Sequence, residues 1–254
     1  MTDAERQAAL DAIGAEVAVC TRCRLHQTRT KAVPGEGTAA TEVIFVGEGP
    51  GFNEDRQGRP FVGQAGGLLD ELLGAVGWSR GEVFITNVVK CRPPENRDPE
   101  ADEIAACSGF LTRQLAALDP ALVVTLGRFS MARFNPGARI GQVHGTFRLA
   151  DPESGTDALT YAMYHPAAAL HQGSLRATLL RDMEGVPAAL LEARKMRESK
   201  GPAERQDGAI GDFEQPSNPA TGNELPGAPR PTGVAATTAD VSAESAPTDQ
   251  LGLF

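Results

Sequence analysis

Four short apolar runs punctuate the chain: Val43-Ile44-Phe45-Val46, Val83-Phe84-Ile85-Thr86, Leu122-Val123-Val124-Thr125-Leu126 and Tyr161-Ala162-Met163-Tyr164. Each is bounded by Gly, Asn or a His-Pro pair, and each predicts a buried strand. Between them the apolar positions fall at helical spacing. Leu68, Leu69, Leu72, Leu73 and Val76 keep one face of a helix; Ile104, Phe110, Leu111 and Leu115 form a second, with Asp98-Pro99 expected as its N-cap and first-turn proline. After the last strand, Leu175, Leu179, Leu180 and Met183 predict a closing helix that Gly185 and Pro187 interrupt. Strands alternating with helices predict a mainly parallel four-stranded sheet covered on both faces, a three-layer α/β/α sandwich.

In such a sheet the chemistry gathers where strands end, and three strand ends carry candidates. The first strand runs into Gly47-Glu48-Gly49-Pro50-Gly51, followed by Phe52 to Gly63 with Glu54, Arg56, Arg59 and Phe61. Glycines there let a backbone approach a ligand without a Cβ in the way. The second run ends in Asn87-Val88-Val89-Lys90-Cys91-Arg92-Pro93-Pro94, and the last in His165-Pro166-Ala167-Ala168. Brought together, these offer the carboxamide of Asn87, the imidazole of His165, the carboxylates of Glu48 and Glu54, and the ring of Phe61. A carboxamide that both donates and accepts suits the edge of a nucleobase, and an aromatic ring supplies a stacking floor.

The four cysteines, Cys20, Cys23, Cys91 and Cys107, change the picture further. Cys-x2-Cys followed by a distant second pair has the spacing of a four-thiolate metal site, and both zinc and an iron–sulfur cluster accept such a set. Disulfides are disfavoured, because Met1 to Arg6 has no signal-peptide pattern and no apolar run is long enough to span a bilayer. A reducing, cytoplasmic setting is therefore expected.

Charge and composition divide the chain near Lys200. Residues 200–254 hold 3 basic and 8 acidic residues and only Phe213 and Phe254 as aromatics, a composition expected to stay disordered. Residues 1–199, with 21 basic and 25 acidic residues, form the expected folded domain, so the net charge of −9 is mostly tail and does not exclude a nucleic-acid partner.

The segment Gly47 to Gly63, the block Asn87 to Pro94, His165-Pro166-Ala167 and all four cysteine positions resemble the family-four uracil-DNA glycosylases, a bacterial and archaeal type that carries an iron–sulfur cluster. The resemblance covers roughly residues 15 to 195. It implies a four-iron four-sulfur cluster on Cys20, Cys23, Cys91 and Cys107 and hydrolysis of the bond joining uracil to deoxyribose in DNA, leaving an abasic site for repair. It further implies that Phe61 stacks on the flipped uracil, Asn87 pairs with its edge and His165 lies near its O2. Glu54 stands where the family crowds the C5 position against the methyl of thymine; Glu48, beside Gly49, is the carboxylate expected at the attacking water. Relatives that cross-link to uracil carry a reactive histidine between the asparagine and the later cysteine. Arg92 to Cys107 contains no histidine, and His144 is expected in a loop against DNA or in packing, so ordinary turnover is expected.

A glycosylase must hold the backbone and fill the gap left by the extruded base. Arg56, Arg59 and Lys90 are the favoured phosphate contacts, with Arg92 and Arg97 beside them, and Leu170 or His171 is the expected wedge. The chain's last residues, Gln250-Leu251-Gly252-Leu253-Phe254, resemble the peptide by which bacterial repair proteins dock on the sliding clamp. That likeness implies insertion of Leu253 and Phe254 into an apolar pocket, a directional hydrogen bond from Gln250, and a bacterial enzyme working at the nucleoid; nothing in the sequence demands more than a monomer. Two other classes stand beside this reading: a non-catalytic iron–sulfur damage-binding module recruited through the clamp, and a nucleotide-binding protein with structural zinc.

Overall fold

The computed structural model describes residues 1–199. The expected disordered tail and clamp peptide (Gln250, Leu251, Leu253, Phe254) fall outside the described residues. In chain order the elements are α1 (Asp3–Val19), β1 (Glu36–Gly37), β2 (Val43–Gly47), α2 (Phe52–Gln57), α3 (Gln64–Ala75) and β3 (Phe84–Asn87). Then come α4 (Ala101–Leu118), β4 (Leu122–Leu126), α5 (Arg128–Phe134), α6 (Ile140–Val143) and β5 (Phe147–Leu149). The chain continues with β6 (Leu159–Met163), α7 (Pro166–His171), α8 (Ser174–Glu184) and α9 (Val186–Ser199).

The sheet has six strands in the order β1-β3-β2-β4-β6-β5, not the expected four. The four apolar runs form its parallel centre, β3-β2-β4-β6, and β1 and β5 pair antiparallel at its two edges. Neither edge strand announces itself: Glu36-Gly37 is two residues long, and all three residues of β5 are exposed. Short, polar or exposed edges of this kind discourage further pairing.

Side chains alternate between the two faces of the sheet. Phe45, Ile85, Val124 and Met163 pack on Leu69, Leu72 and Leu73 of α3, Leu179 and Met183 of α8 and Leu190 of α9. On the other face Ile44, Val46, Phe84 and Val123 meet Ile13 and Val17 of α1, Phe110, Leu111 and Leu115 of α4, and Phe134 of α5. Helices thus cover both faces, as the alternation predicts. Two helix boundaries differ from expectation. Glu100, not Asp98, is the N-cap of α4, and its N–H donates to the Glu103 carboxylate at 2.8 Å. Gly185 does separate α8 from α9, but Pro187 lies in the first turn of α9, where its missing N–H has no helical partner to lose. Among the described residues no helix is long and apolar enough to cross a membrane.

Candidate active site

The parallel pairing of β2 with β3 sets Gly47 opposite Asn87, so the glycine loop and the asparagine loop leave the sheet side by side. Val88 N–H donates to Gly47 O (3.0 Å) and Val89 N–H to Glu48 O (3.1 Å), locking the two loops together. A Cβ on Gly47 would come within 2.4 Å of Asn87 Oδ1 and 2.6 Å of Phe61 Cζ. Only glycine fits at this corner, where a carboxamide and an aromatic ring meet. Asn87 is only 1% exposed, and its Oδ1 has no hydrogen-bond partner. A buried acceptor left unpaired costs about 1–3 kcal/mol, a cost that a donor from outside the protein would remove.

Phe61 reaches that corner at a backbone cost. Its φ is +50°, a conformation that residues with side chains rarely adopt, and the surrounding chain holds it there. Arg80 donates to Pro60 O (2.7 Å) and Phe61 O (3.0 Å) while pairing with Glu36 at 2.7 Å. Gly66 admits the turn, since a Cβ there would lie 1.9 Å from Phe61 O. Glu54 Oε1 accepts from Val62 N–H (2.8 Å) and Gly63 N–H (2.9 Å), fixing the start of α3 directly after Phe61.

His165 stacks on Phe61, with ring centroids 5.6 Å apart and planes 28° from parallel. It is also the N-cap of α7: Ala167 N–H donates to His165 Nδ1 at 3.1 Å. An imidazole nitrogen that accepts carries no proton, so the ring hydrogen sits on Nε2. Burial pulls the pKa of His165 down to about 4, against the opposing charge of Glu54. The ring is a neutral donor at physiological pH. Glu48, half-buried, moves the other way: burial, then the charge of Asp98, pushes its pKa up to about 7, with Arg128 opposing. Arg128 is hydrogen-bonded to Asp98.

The expected DNA contacts divide. Arg56 is exposed and lies over the Phe52 ring, whereas Arg59 is exposed but paired with Glu36 at 2.7 Å. Leu170 is 44% exposed on α7 and His171 is exposed beside it, both just beyond His165. Lys90 is a correction: it is 1% exposed and turned inward, so it is not a surface contact for phosphate. Its Nζ donates to Gln114 Oε1 (2.6 Å), Thr86 Oγ1 (2.7 Å) and Asn87 O (2.8 Å), and burial lowers its pKa to about 7. Arg97 is held by Glu103 at 2.6 Å. His144 is packed, its Nδ1 2.9 Å from Asp182 Oδ2 and its ring against Tyr164.

All four cysteines line one cavity, between the end of α1, the loop after β3 and α4, with Val17, Leu25, Val89 and Phe110 around them. Arg29 Nη1 donates to Cys91 Sγ (3.0 Å) and the Lys90 N–H to Cys107 Sγ (3.3 Å). Among the described residues no three ligand-type side chains converge to hold a single ion. A cluster that takes one thiolate per iron needs no such convergence, and four cysteines with N–H donors to two of them suit that kind of group.

Sequence reasoning missed Gly47, Arg80, Asp98 and Arg128 as parts of the site. Gly47 lies inside the quoted glycine loop and only its register with Asn87 gives it a distinct role. The three charged residues carried no signal, because their neighbours are distant in sequence.

Residues 34–184 match the family model described as Uracil DNA glycosylase superfamily. The type-4 uracil-DNA glycosylase of Saccharolobus solfataricus is 48% identical over 187 residues, covering 71% of this chain and 86% of that protein. The type-4 uracil-DNA glycosylase of Thermotoga maritima is 41% identical over 181 residues, 70% of this chain and 93% of that protein. A type-5 uracil-DNA glycosylase of Thermus thermophilus matches less, 34% over 114 residues, 39% of this chain and 52% of that protein. The chain belongs to the uracil DNA glycosylase superfamily and, within it, to the type-4 uracil-DNA glycosylases.

Proposed function

We propose that this protein hydrolyses the N-glycosidic bond of deoxyuridine in DNA, releasing uracil and leaving an abasic site for repair. The observation that carries the reading is the unpaired buried acceptor, Asn87 Oδ1, beside the Phe61 ring at the corner that Gly47 leaves clear. Uracil presents an N–H to that acceptor and a neighbouring carbonyl to the carboxamide N–H2, while its face lies on Phe61. Breaking the bond leaves negative charge on the base and positive charge on the sugar. His165, proton on Nε2, donates to the base oxygen where that charge collects, and its low pKa keeps it a neutral donor. Glu48 holds the water that reaches the sugar carbon, and Glu54 closes the C5 side against thymine while anchoring the Phe61 turn through Val62 and Gly63.

Cys20, Cys23, Cys91 and Cys107 hold a four-iron four-sulfur cluster in this reading, a group that cross-links α1, the chain after β3 and α4 when bound. Backbone contacts come from Arg56 and Arg59, the latter by exchanging Glu36 for phosphate, and Leu170 or His171 fills the gap left by the base. The residues Gln250, Leu251, Leu253 and Phe254 dock the enzyme on a bacterial sliding clamp, and the protein works as a monomer on single- or double-stranded DNA. Removal of residues 250–254 should abolish clamp binding in a pull-down and spare excision on a short duplex; retained binding would refute the peptide's role.

Uracil release from a labelled single-uracil duplex, with a thymine control, tests the central claim. Free base from the uracil strand alone, leaving a site cleaved only by alkali, is the expected result. Tight binding without release would instead favour the damage-binding module.

A further inference from the structure

Phe52 opens α2 immediately after the glycine loop, and it is 51% exposed. Two guanidinium groups converge on its ring: Arg56, one turn along α2, at 5.6 Å from the centroid, and Arg92, from the loop after Cys91, at 5.3 Å. Arg92 Nε also donates to Asn96 Oδ1 at 2.8 Å. Neither arginine has a carboxylate within ion-pair distance among the described residues. By contrast, Arg24, Arg59, Arg80 and Arg97 are paired with acidic side chains. Positive charge therefore stands uncompensated around one exposed aromatic ring, in a domain whose described residues are net acidic. The two loops that meet there follow β2 and β3, whose last residues are Gly47 and Asn87.

An exposed ring flanked by unpaired guanidiniums is complementary to a nucleotide, whose base offers a π-face and whose phosphate offers the counter-charge. We propose that Phe52, braced by Arg56 and Arg92, is a second stacking surface, which takes the base next to the flipped uracil while the two arginines hold the adjoining phosphates. The proposal rests on the glycosylase reading above and extends it to a neighbouring nucleotide. Stacking on Phe52 lowers KM and leaves the bond-breaking step alone, because the ring touches no reacting atom.

The test uses short single strands carrying one uracil, either intact or with a tetrahydrofuran abasic residue on its 5′ or 3′ side. Phe52→Ala should raise KM on the intact strand about tenfold with little change in kcat, and Phe52→Tyr should restore it. The abasic residue on one side should penalise the unaltered protein and leave Phe52→Ala indifferent. The double variant R56Q/R92Q should flatten the salt dependence of KM by roughly one to two contacts. Equal KM for Phe52→Ala and the unaltered protein, or an equal abasic penalty in both, overturns the proposal. Were the unaltered protein to release no uracil, the glycosylase reading would fall by itself; strand binding by fluorescence anisotropy, compared between the unaltered protein and Phe52→Ala, would then still decide whether Phe52 stacks.

Discussion

Asn87 ends β3 and Cys91 follows it by four residues, yet their surroundings treat buried polar groups in opposite ways. Around Asn87 a group is left wanting: its Oδ1 has no partner, beside a Phe61 held at φ +50°. Around Cys91 such groups are satisfied. Cys91 and Cys107 each accept an N–H, Lys90 donates three times, and fully buried Glu103 is held by Arg97. A fold holds itself together where local rules are kept and does chemistry where they are broken. Here the two regimes are separated by one turn of chain, with Lys90 bonded into both through Asn87 O.

The harshest way to break the contrast is Cys91→Ala. If the cysteine side is the anchor, metal binding is part of the folding free energy, and loss of one ligand should strip iron from the purified protein and drop its thermal midpoint by about 10 °C or more. An iron-free unaltered protein with the same midpoint as the variant would show that the thiols are merely buried.

On the pocket side the loss should fall on excision and spare the fold. Gly47→Ala drives a methyl group against Asn87 Oδ1 and Phe61 Cζ, and Asn87→Ala removes the carboxamide proposed to read the base. Each should slow excision by about 10³-fold. Asn87→Ala also removes the unpaired acceptor, so its stability should stay within about 1 kcal/mol of the parent. A large fall in denaturation midpoint for Asn87→Ala would mean that the residue supports the fold after all.

Lys90→Met probes the boundary between the regions. It leaves Asn87 O and Gln114 Oε1 short of a buried donor and should cost about 2–4 kcal/mol of stability by denaturant titration, with iron content retained. Unchanged stability would show that the three hydrogen bonds contribute nothing net.

Lys90 also marks where sequence reading stopped. A lysine among arginines next to a pocket motif reads as a surface cation; its burial depends on acceptors from β3 and from Gln114 of α4, which no local pattern reveals. The parallel core was legible because each central strand is a continuous apolar run. The edge strands were not, since Glu36-Gly37 and Phe147-Arg148-Leu149 are short and carry no buried face. Helix α1 buries only Leu10, Ile13 and Val17, too sparse a stripe to announce a helix of 17 residues. Asn87, His165, Phe61 and the two glutamates were legible as residue types at strand ends. Their tuning was not: the Nε2 proton of His165 is fixed by Ala167, and the pKa of Glu48 by burial first and then by Asp98 and Arg128, surroundings that exist only in the fold.

The finest test of the contrast is the ionisation of Glu48. If its carboxylate must be charged to hold the water, kcat/KM should fall tenfold per pH unit below about 7, the value set by burial and Asp98. His165, neutral above about 4, adds no second limb in that range. Asp98→Asn removes a charge that raises the Glu48 pKa and should move the limb to lower pH; Arg128→Gln removes one that lowers it and should move the limb to higher pH. Stability follows the same proton with a definite sign. The folded state holds the Glu48 proton more tightly than the unfolded chain, so stability is greatest below the unfolded value of 4.5 and declines as pH rises through about 7. Glu48→Gln never pays that ionisation cost. It should therefore unfold at higher denaturant than the parent at pH 8, by about 1 kcal/mol once partial solvent access is allowed for, and the advantage should vanish at pH 4. An advantage of equal size at both pH values would mean that packing, not charge, distinguishes the two side chains, and that the pocket is less polarised than its geometry implies.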